Sequence, residues 1–484
     1  MALTVQQKNL HLLWRAGFGP MAEMIPQLDT IPTTALWNLL KQSSAKAPKM
    51  IHVAENLSDG LFKGVKDLAD TQRLSDEQRK MIREQSRDGL KRLNLIWLNQ
   101  MIDSEAQLRE KMAFFWHGHF ACRVINIYFQ QQLLDVIREH ALGNFGDLLR
   151  AVSKSPAMLQ FLNNQQNRKK QPNENFAREV MELFTMGRGN YTEQDIKEAA
   201  RAFTGWGFDL RGEFVFRTLQ HDDGNKTILG KTGKWTGDDV IDILLEDPRT
   251  ALFIARKLYR FFVSEKENMI EIGELAKTLY DNNYAILPTL DRMFTSTWFF
   301  DPANMGNRIK SPIELMVGIR RILPMRLSNE DAQLIFQRAL GQILFYPPNV
   351  AGWPGGKTWI DSSTLMLRMR LPQMLAANTV MEINTKSDDD VQMGQMMDQQ
   401  KRRSEAQAYA NRFGTASIAW KSIVGLFDKT PRVELQKKIA GLLLIREANH
   451  VDVAATKHIN SGSRETFIQS AIIQYMSTPE YQLA

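Results

Sequence analysis

Apolar residues recur along most of this chain at the three-and-four spacing of a single helix face, and polar residues between them supply helix start and stop signals. The N-terminal stretch puts Leu10, Leu13 and Trp14 on one stripe. Ser75-Asp76-Glu77-Gln78 has the form of a capping box. It opens a long helix whose Met81, Ile82, Leu93, Ile96, Trp97 and Met101 are placed to face a core. Ser155-Pro156 and Ser311-Pro312 each set an N-cap ahead of a first-turn proline. Thr192 and Asp195 cap a helix in which Ile196, Ala199, Ala200 and Phe203 share a face, with Gly205 positioned to stop it.

One stretch reads as β. Phe214 and Phe216 alternate after Arg211-Gly212, and Lys226-Thr227-Ile228-Leu229 follows the polar turn His221-Asp222-Asp223-Gly224. The pattern predicts an all-α, mainly helical fold with a small β-hairpin inserted near 208–233. Residues 385–403 are rich in Asp, Gln and Met without periodicity, and read as a mobile loop or linker. It separates a main helical body, 1–384, from a C-terminal helical part, 404–484.

Composition narrows the chemistry. Cys122 is the only cysteine, which excludes an intrachain disulfide and any Cys-based zinc or iron–sulfur site, so a metal would need His, Asp and Glu. The net charge of +7 is small beside 61 basic and 54 acidic residues. Its densest basic runs, Arg168-Lys169-Lys170 and Lys401-Arg402-Arg403, are flanked by amides and read as solvated loops, so no nucleic-acid partner is expected. No apolar run is long enough to span a bilayer, and no leader is visible ahead of the first amphipathic helix. The expected location is therefore the cytoplasm, unless a leader has been removed.

Four stretches carry residues capable of chemistry. Phe115-Trp116-His117-Gly118-His119-Phe120 holds two histidines that diverge by about 200° on a helix, and they share a ligand only if the helix ends at Gly118. Buried structural histidines are the alternative. From Asn173 to Phe184 the sequence predicts a helix with Asn175, Glu179 and Glu182 on one face and Arg178 beside them. Facing water, that stripe is an ordinary surface with an Arg178–Glu182 pair; facing inward, its carboxylates form a metal site or an acid/base pair with one pKa raised. His221-Asp222-Asp223-Gly224-Asn225-Lys226 reads either as ligands or as a hydrogen-bonded turn. Tyr346-Pro347-Pro348-Asn349-Val350-Ala351-Gly352-Trp353 is a rigid loop, whose Trp353, with Trp359, either stacks on a sugar or base or packs on the core. The chain has no Walker loop, no Gly-x-Ser-x-Gly elbow and no His-Glu-x-x-His, which argues against P-loop, α/β-hydrolase and zincin chemistry.

In chain order these segments resemble the bacterial domain-of-unknown-function family 1800. The resemblance runs from His11-Leu12-Leu13-Trp14-Arg15-Ala16-Gly17-Phe18-Gly19 through Trp-His-x-His-Phe and Gly143-Asn144-Phe145 to the Asn173–Phe184 stretch and Asn190-Tyr191-Thr192-Glu193. It continues through Ala200-Arg201-Ala202-Phe203-Thr204-Gly205-Trp206, His221-Asp222, Lys310-Ser311-Pro312, the Pro-Pro-Asn-Val-x-Gly-Trp loop and Thr478-Pro479-Glu480-Tyr481. The resemblance implies a nearly all-helical protein and supplies no reaction. Relatives commonly carry a secretion leader and lie beside a sulfatase-like family, which implies work on extracellular or polymeric material; this chain departs from them in lacking a visible leader.

Three functional readings follow. In the first, a metal-dependent hydrolase acts on a polymeric or anionic substrate. His117, His119 and His221 hold a divalent ion with Asp222 or Glu179, Glu182 is the general base, and Arg178 and Lys226 hold an anionic group. The second is metal-free acid/base chemistry on a glycan by Glu179 and Glu182, with Asn349 and Trp353 binding substrate. The third is a non-catalytic binding or scaffold protein whose polar segments are hydrogen-bond networks between helices.

Overall fold

The computed structural model describes residues 3–54, 76–209, 211–377, 415–445 and 457–484. It is mainly helical, and its described strands form three two-stranded antiparallel sheets. The expected linker, 385–403, and Ser75 of the expected capping box lie outside the described residues. No helix among the described residues is long and apolar enough to cross a membrane.

Several start signals act as their sequences predict. Ser155 Oγ accepts the Met158 N–H at 3.3 Å, ahead of Pro156. Thr192 and Asp195 complete a reciprocal capping box, and so do Ser311 and Glu314. In the Asp76–Asp103 helix the inward stripe is Leu93, Trp97 and Met101, each fully buried. Ile96, expected beside them, is 40% exposed, because one position before Trp97 it falls off the i, i+4, i+8 line.

The β segment departs from the single hairpin expected. Trp206–Phe208 (β1) pairs with Phe214–Phe216 (β2), and Lys226–Ile228 (β3) pairs with Lys231–Gly233 (β4), making two separate hairpins. The tight turn of the second is Leu229-Gly230, with Leu229 at φ +47°. A leucine pays for that left-handed backbone, and here its N–H is held at 2.7 Å by Asp195 Oδ1 on the neighbouring helix. His221 to Gly224 connects the hairpins instead of turning one. A third pair, Met325–Leu327 (β5) with Ala416–Ile418 (β6), joins the two ends of the stretch that contains the expected linker. The Arg464–Met476 helix packs on both Arg432–Leu443 and Ser362–Ala377.

At the centre lies a buried charge network. Glu314, in the first turn of the Pro312–Ile322 helix, accepts from Lys111 Nζ at 2.5 Å, from Arg308 Nη2 at 2.8 Å and from the Ser311 N–H at 2.8 Å. Burial alone would raise its pKa, but the two cations and the N–H outweigh that and hold it far below the usual carboxylate range. Burial draws Lys111 down to about 8 against the pull of Glu314. Nearby, Arg15 donates to the carbonyls of Val263 (2.9 Å), Asn304 (2.9 Å) and Ala484 (2.6 Å). Lys310 Nζ donates to Tyr481 O at 2.6 Å and sits 3.5 Å from the Trp14 ring centre. Three of the segments that carry the family resemblance, at 11–19, 310–312 and 478–481, thus meet in one place.

Truncating Glu314 to alanine leaves Lys111 and Arg308 buried without their anion, and urea unfolding should record a loss of about 3–5 kcal/mol. Glu314 has a depressed pKa, so its contribution is complete above the unfolded carboxylate pKa and fades as pH falls through it. The gap between wild type and Glu314→Ala should therefore narrow under acid.

Candidate functional site

The Gln107–His119 helix ends at Trp116-His117-Gly118-His119-Phe120, with both histidines buried. Two positions apart, their rings leave the helix in different directions. His117 Nε2 accepts the Phe345 N–H at 3.2 Å, and its ring lies 5.1 Å from Trp97, 5.0 Å from Phe345 and 5.6 Å from Trp353. Burial draws its pKa to about 3, which keeps the imidazole neutral as that acceptor role requires. Phe345 is itself left-handed, at φ +68°, an outlier for a bulky residue. It begins the turn into the proline-rich loop. Farther along that loop Gly352, at φ +82°, presses against the carbonyl of Gly118.

His119 serves a different element. Its Nε2 donates to Phe184 O at 3.1 Å, and its Nδ1 accepts from Lys257 Nζ at 3.0 Å. Burial and then the Lys257 charge hold its pKa well below the ordinary value. Lys257, on the Pro248–Phe262 helix, also donates to Leu183 O at 3.3 Å, and burial followed by Arg260 draws it down to about 8.

Those two carbonyls belong to a wide turn. The Glu174–Glu179 α-helix continues directly into a π-helical turn, Val180–Thr185, where Met186 N–H reaches back five residues to Met181 O at 2.9 Å. Such turns concentrate at functional sites and need their free carbonyls satisfied. Lys257, His119 and Asn190 do this for Leu183, Phe184 and Met186, the last at 2.8 Å.

The wider turn swings Glu182 further round the axis from Glu179 than an α-turn would, and the two carboxylates meet different surroundings. Glu182 accepts from the Tyr191 hydroxyl and from Arg188 at 2.8 Å. Burial would raise its pKa, but these two donors outweigh it and the net shift is downward. Glu179 is half-buried, with no hydrogen bond or ion pair among the described residues, and its pKa is raised by burial and then by the charge of Glu182. The expected Arg178–Glu182 pair does not form. Arg178 instead holds Glu193 at 2.6 Å and Glu174 at 3.2 Å, while Glu182 is taken by Tyr191 and Arg188. Beside the start of this helix opens a polar cavity of about 540 Å³ lined by Gln166, Gln171, Pro172, Asn173, Glu174, Asn175 and Arg178, with Glu179 and Glu182 farther along the same helix.

The expected metal ligands are not brought together. His221 Nδ1 donates to Thr204 O at 3.0 Å, and its ring lies against Phe216. Asp222 is gripped by Arg201 at 2.7 and 3.1 Å, which is the main reason its pKa is lowered. Lys226 is buried and donates to the carbonyls of Asp222 and Gly224 (3.1 Å), so it stitches its own turn. Among the described residues no group of three or more His, Cys, Asp and Glu side chains is arranged to hold a metal ion. His117, His119, His221 and Asp222 are each spent on a neighbouring backbone or guanidinium. Asn349 is exposed, and its Oδ1 accepts the Ala351 N–H at 2.9 Å within its own turn. Trp353 is half-buried on His117, and Trp359 is buried. Among the described residues no hydrogen bond or ring contact joins Trp353 to Glu179 or Glu182.

Lys257 escaped sequence reasoning. A lysine inside an amphipathic helix reads as a solvated rim residue, and only the fold sets its ammonium against an imidazole. Its folded pKa of about 8 lies below the ordinary 10.5, so between these values the unfolded chain binds the proton more readily. Stability should rise with pH across that window, relative to a Lys257→Met variant in which the rise is absent, as read by unfolding at pH 7.5 and 10.

No curated protein and no solved structure matches the chain. A family model does, over residues 11–483, and its description is "Protein of unknown function (DUF1800)". Since the match covers nearly the whole chain, this protein is a member of the DUF1800 family.

Proposed function

We propose that this protein is an acid–base enzyme acting on glycosidic bonds, with Glu179 as proton donor and Glu182 as its ionised partner. One observation carries the reading: a single helical turn presents two carboxylates whose surroundings push their pKa values apart, one up and one down. That division is what general-acid chemistry asks of a carboxyl pair. Glu179 gives its proton to the departing oxygen as the glycosidic C–O bond breaks, water then forms the new bond to the anomeric carbon, and the proton it loses returns to Glu179. Glu182, kept anionic by Tyr191 and Arg188, faces the positive charge that develops at the anomeric carbon. The amide side chains of the cavity at the start of the same helix suit sugar hydroxyls. His119 and Lys257 act through the backbone, since they cap the turn that aims both acids. The divalent ion expected from the histidines has no part in these steps.

Release of reducing ends from neutral and acidic polysaccharides is the measurement. Glu179→Gln and Glu182→Gln should each lower turnover at least about 100-fold. Activity should fall as pH drops through the lowered pKa of Glu182, and fall again as pH rises through the raised pKa of Glu179, giving a bell. Glu179→Gln should also be no less stable than wild type at neutral pH, because it removes an ionisation that the fold opposes. Full turnover in both variants would overturn the proposal. So would activity abolished by EDTA and restored by zinc or manganese.

A further inference from the structure

The Asp76–Asp103 helix carries Arg87, Lys91 and Asn94 at i, i+4 and i+7, so the three share a stripe. Buried Asn94 fixes where that stripe points. Its Nδ2 donates to Gln337 Oε1 at 2.8 Å and to Leu344 O at 3.3 Å, and Gln337 Nε2 donates back at 2.6 Å. Gln337 is followed by Arg338 in the last turn of the Ala332–Leu340 helix, and Leu344 lies two residues before Tyr346. Arg87 and Lys91 therefore flank Arg338 and Tyr346. From the end of the Gln107–His119 helix, Arg123 sets its guanidinium 5.3 Å over the Tyr346 ring. Burial raises the pKa of that phenol, and all four charges act on it in the opposite sense without reversing the shift.

Among the described residues no carboxylate pairs with Arg87, Arg123 or Arg338, while Lys91 holds exposed Asp88 at 3.0 Å. Lys91 and Arg338 are exposed, as are Pro348 and Asn349 of the loop that Tyr346 opens. Cations gathered around one aromatic ring repel each other and raise the local concentration of anions. Guanidinium forks match carboxylate and sulfate oxygens, and an aromatic face matches a sugar ring.

We infer that Arg87, Lys91, Arg123 and Arg338, grouped around Tyr346, form a binding site for an anionic polysaccharide. Among the described residues these four cations gather about one ring, whereas nucleic-acid binders spread their cations along a face that follows many phosphates. The choice of a glycan among polyanions rests on the acid–base reading above; the anion site itself does not.

The test is binding of the full chain to immobilised alginate, dextran sulfate and uncharged dextran, with duplex DNA as the rival polyanion, at roughly 50 and 200 mM salt. Binding to alginate or dextran sulfate but not to dextran is expected, and whichever polymer binds identifies carboxylate or sulfate as the recognised group. Arg87→Gln/Arg338→Gln should weaken it at least about tenfold and flatten its salt dependence, with thermal unfolding unchanged. Glu179→Gln should bind as wild type, so that loss of activity and loss of this site are read separately. Absent binding to both acidic polymers, equal binding to uncharged dextran, undiminished binding by the double variant, or tighter binding to DNA would each overturn the inference.

Discussion

A carboxylate buried without counter-ions would lose its charge or unfold its surroundings, and Glu314 does neither because Lys111, Arg308 and the Ser311 N–H all reach it. That requirement organises the molecule. Lys111 comes from the helix that ends in the two histidines, Arg308 from the approach to the Pro312–Ile322 helix, and Arg15 beside them ties in three stretches of carbonyl. Apolar packing could be met by many arrangements of these helices. The charges accept far fewer, since each donor must arrive at a fixed atom.

The same helix then sets both candidate functional elements from its far end. His117 holds Phe345 and with it the loop bearing Asn349 and Trp353, while His119, with Lys257, holds the π-turn bearing Glu179 and Glu182. The histidines are neutral for this work, and burial is what keeps them so. Each ring holds a different stretch of backbone, His117 the Phe345 N–H and His119 the Phe184 carbonyl, as two rings that point apart allow.

Much of this was legible beforehand. Helix starts at Ser155, Thr192 and Ser311 were readable because capping is local, a side chain meeting an N–H two or three residues on. The divergence of His117 and His119 followed from helix geometry alone. The π-turn was not readable, because bonds reaching five residues back and bonds reaching four leave the same apolar pattern over so short a stretch; the Arg178–Glu182 pair was misassigned because Glu193, Tyr191 and Arg188 come to these side chains from later in the chain. The two hairpins were merged into one because three-residue strands carry too little alternation to fix partners. Lys257 and the stripe of Arg87 and Lys91 acquire meaning only from what the fold sets opposite them.

The seam between Gly352 and Gly118 joins residues far apart in the chain, backbone against backbone. It is unequal. Space lies open around the position a methyl group would take at Gly118, whereas at Gly352 the same methyl would strike the opposing carbonyl and require a left-handed backbone as well. Of the two, only the loop partner is irreplaceable, so an alanine there would lever the tryptophan-bearing strap off the helix end.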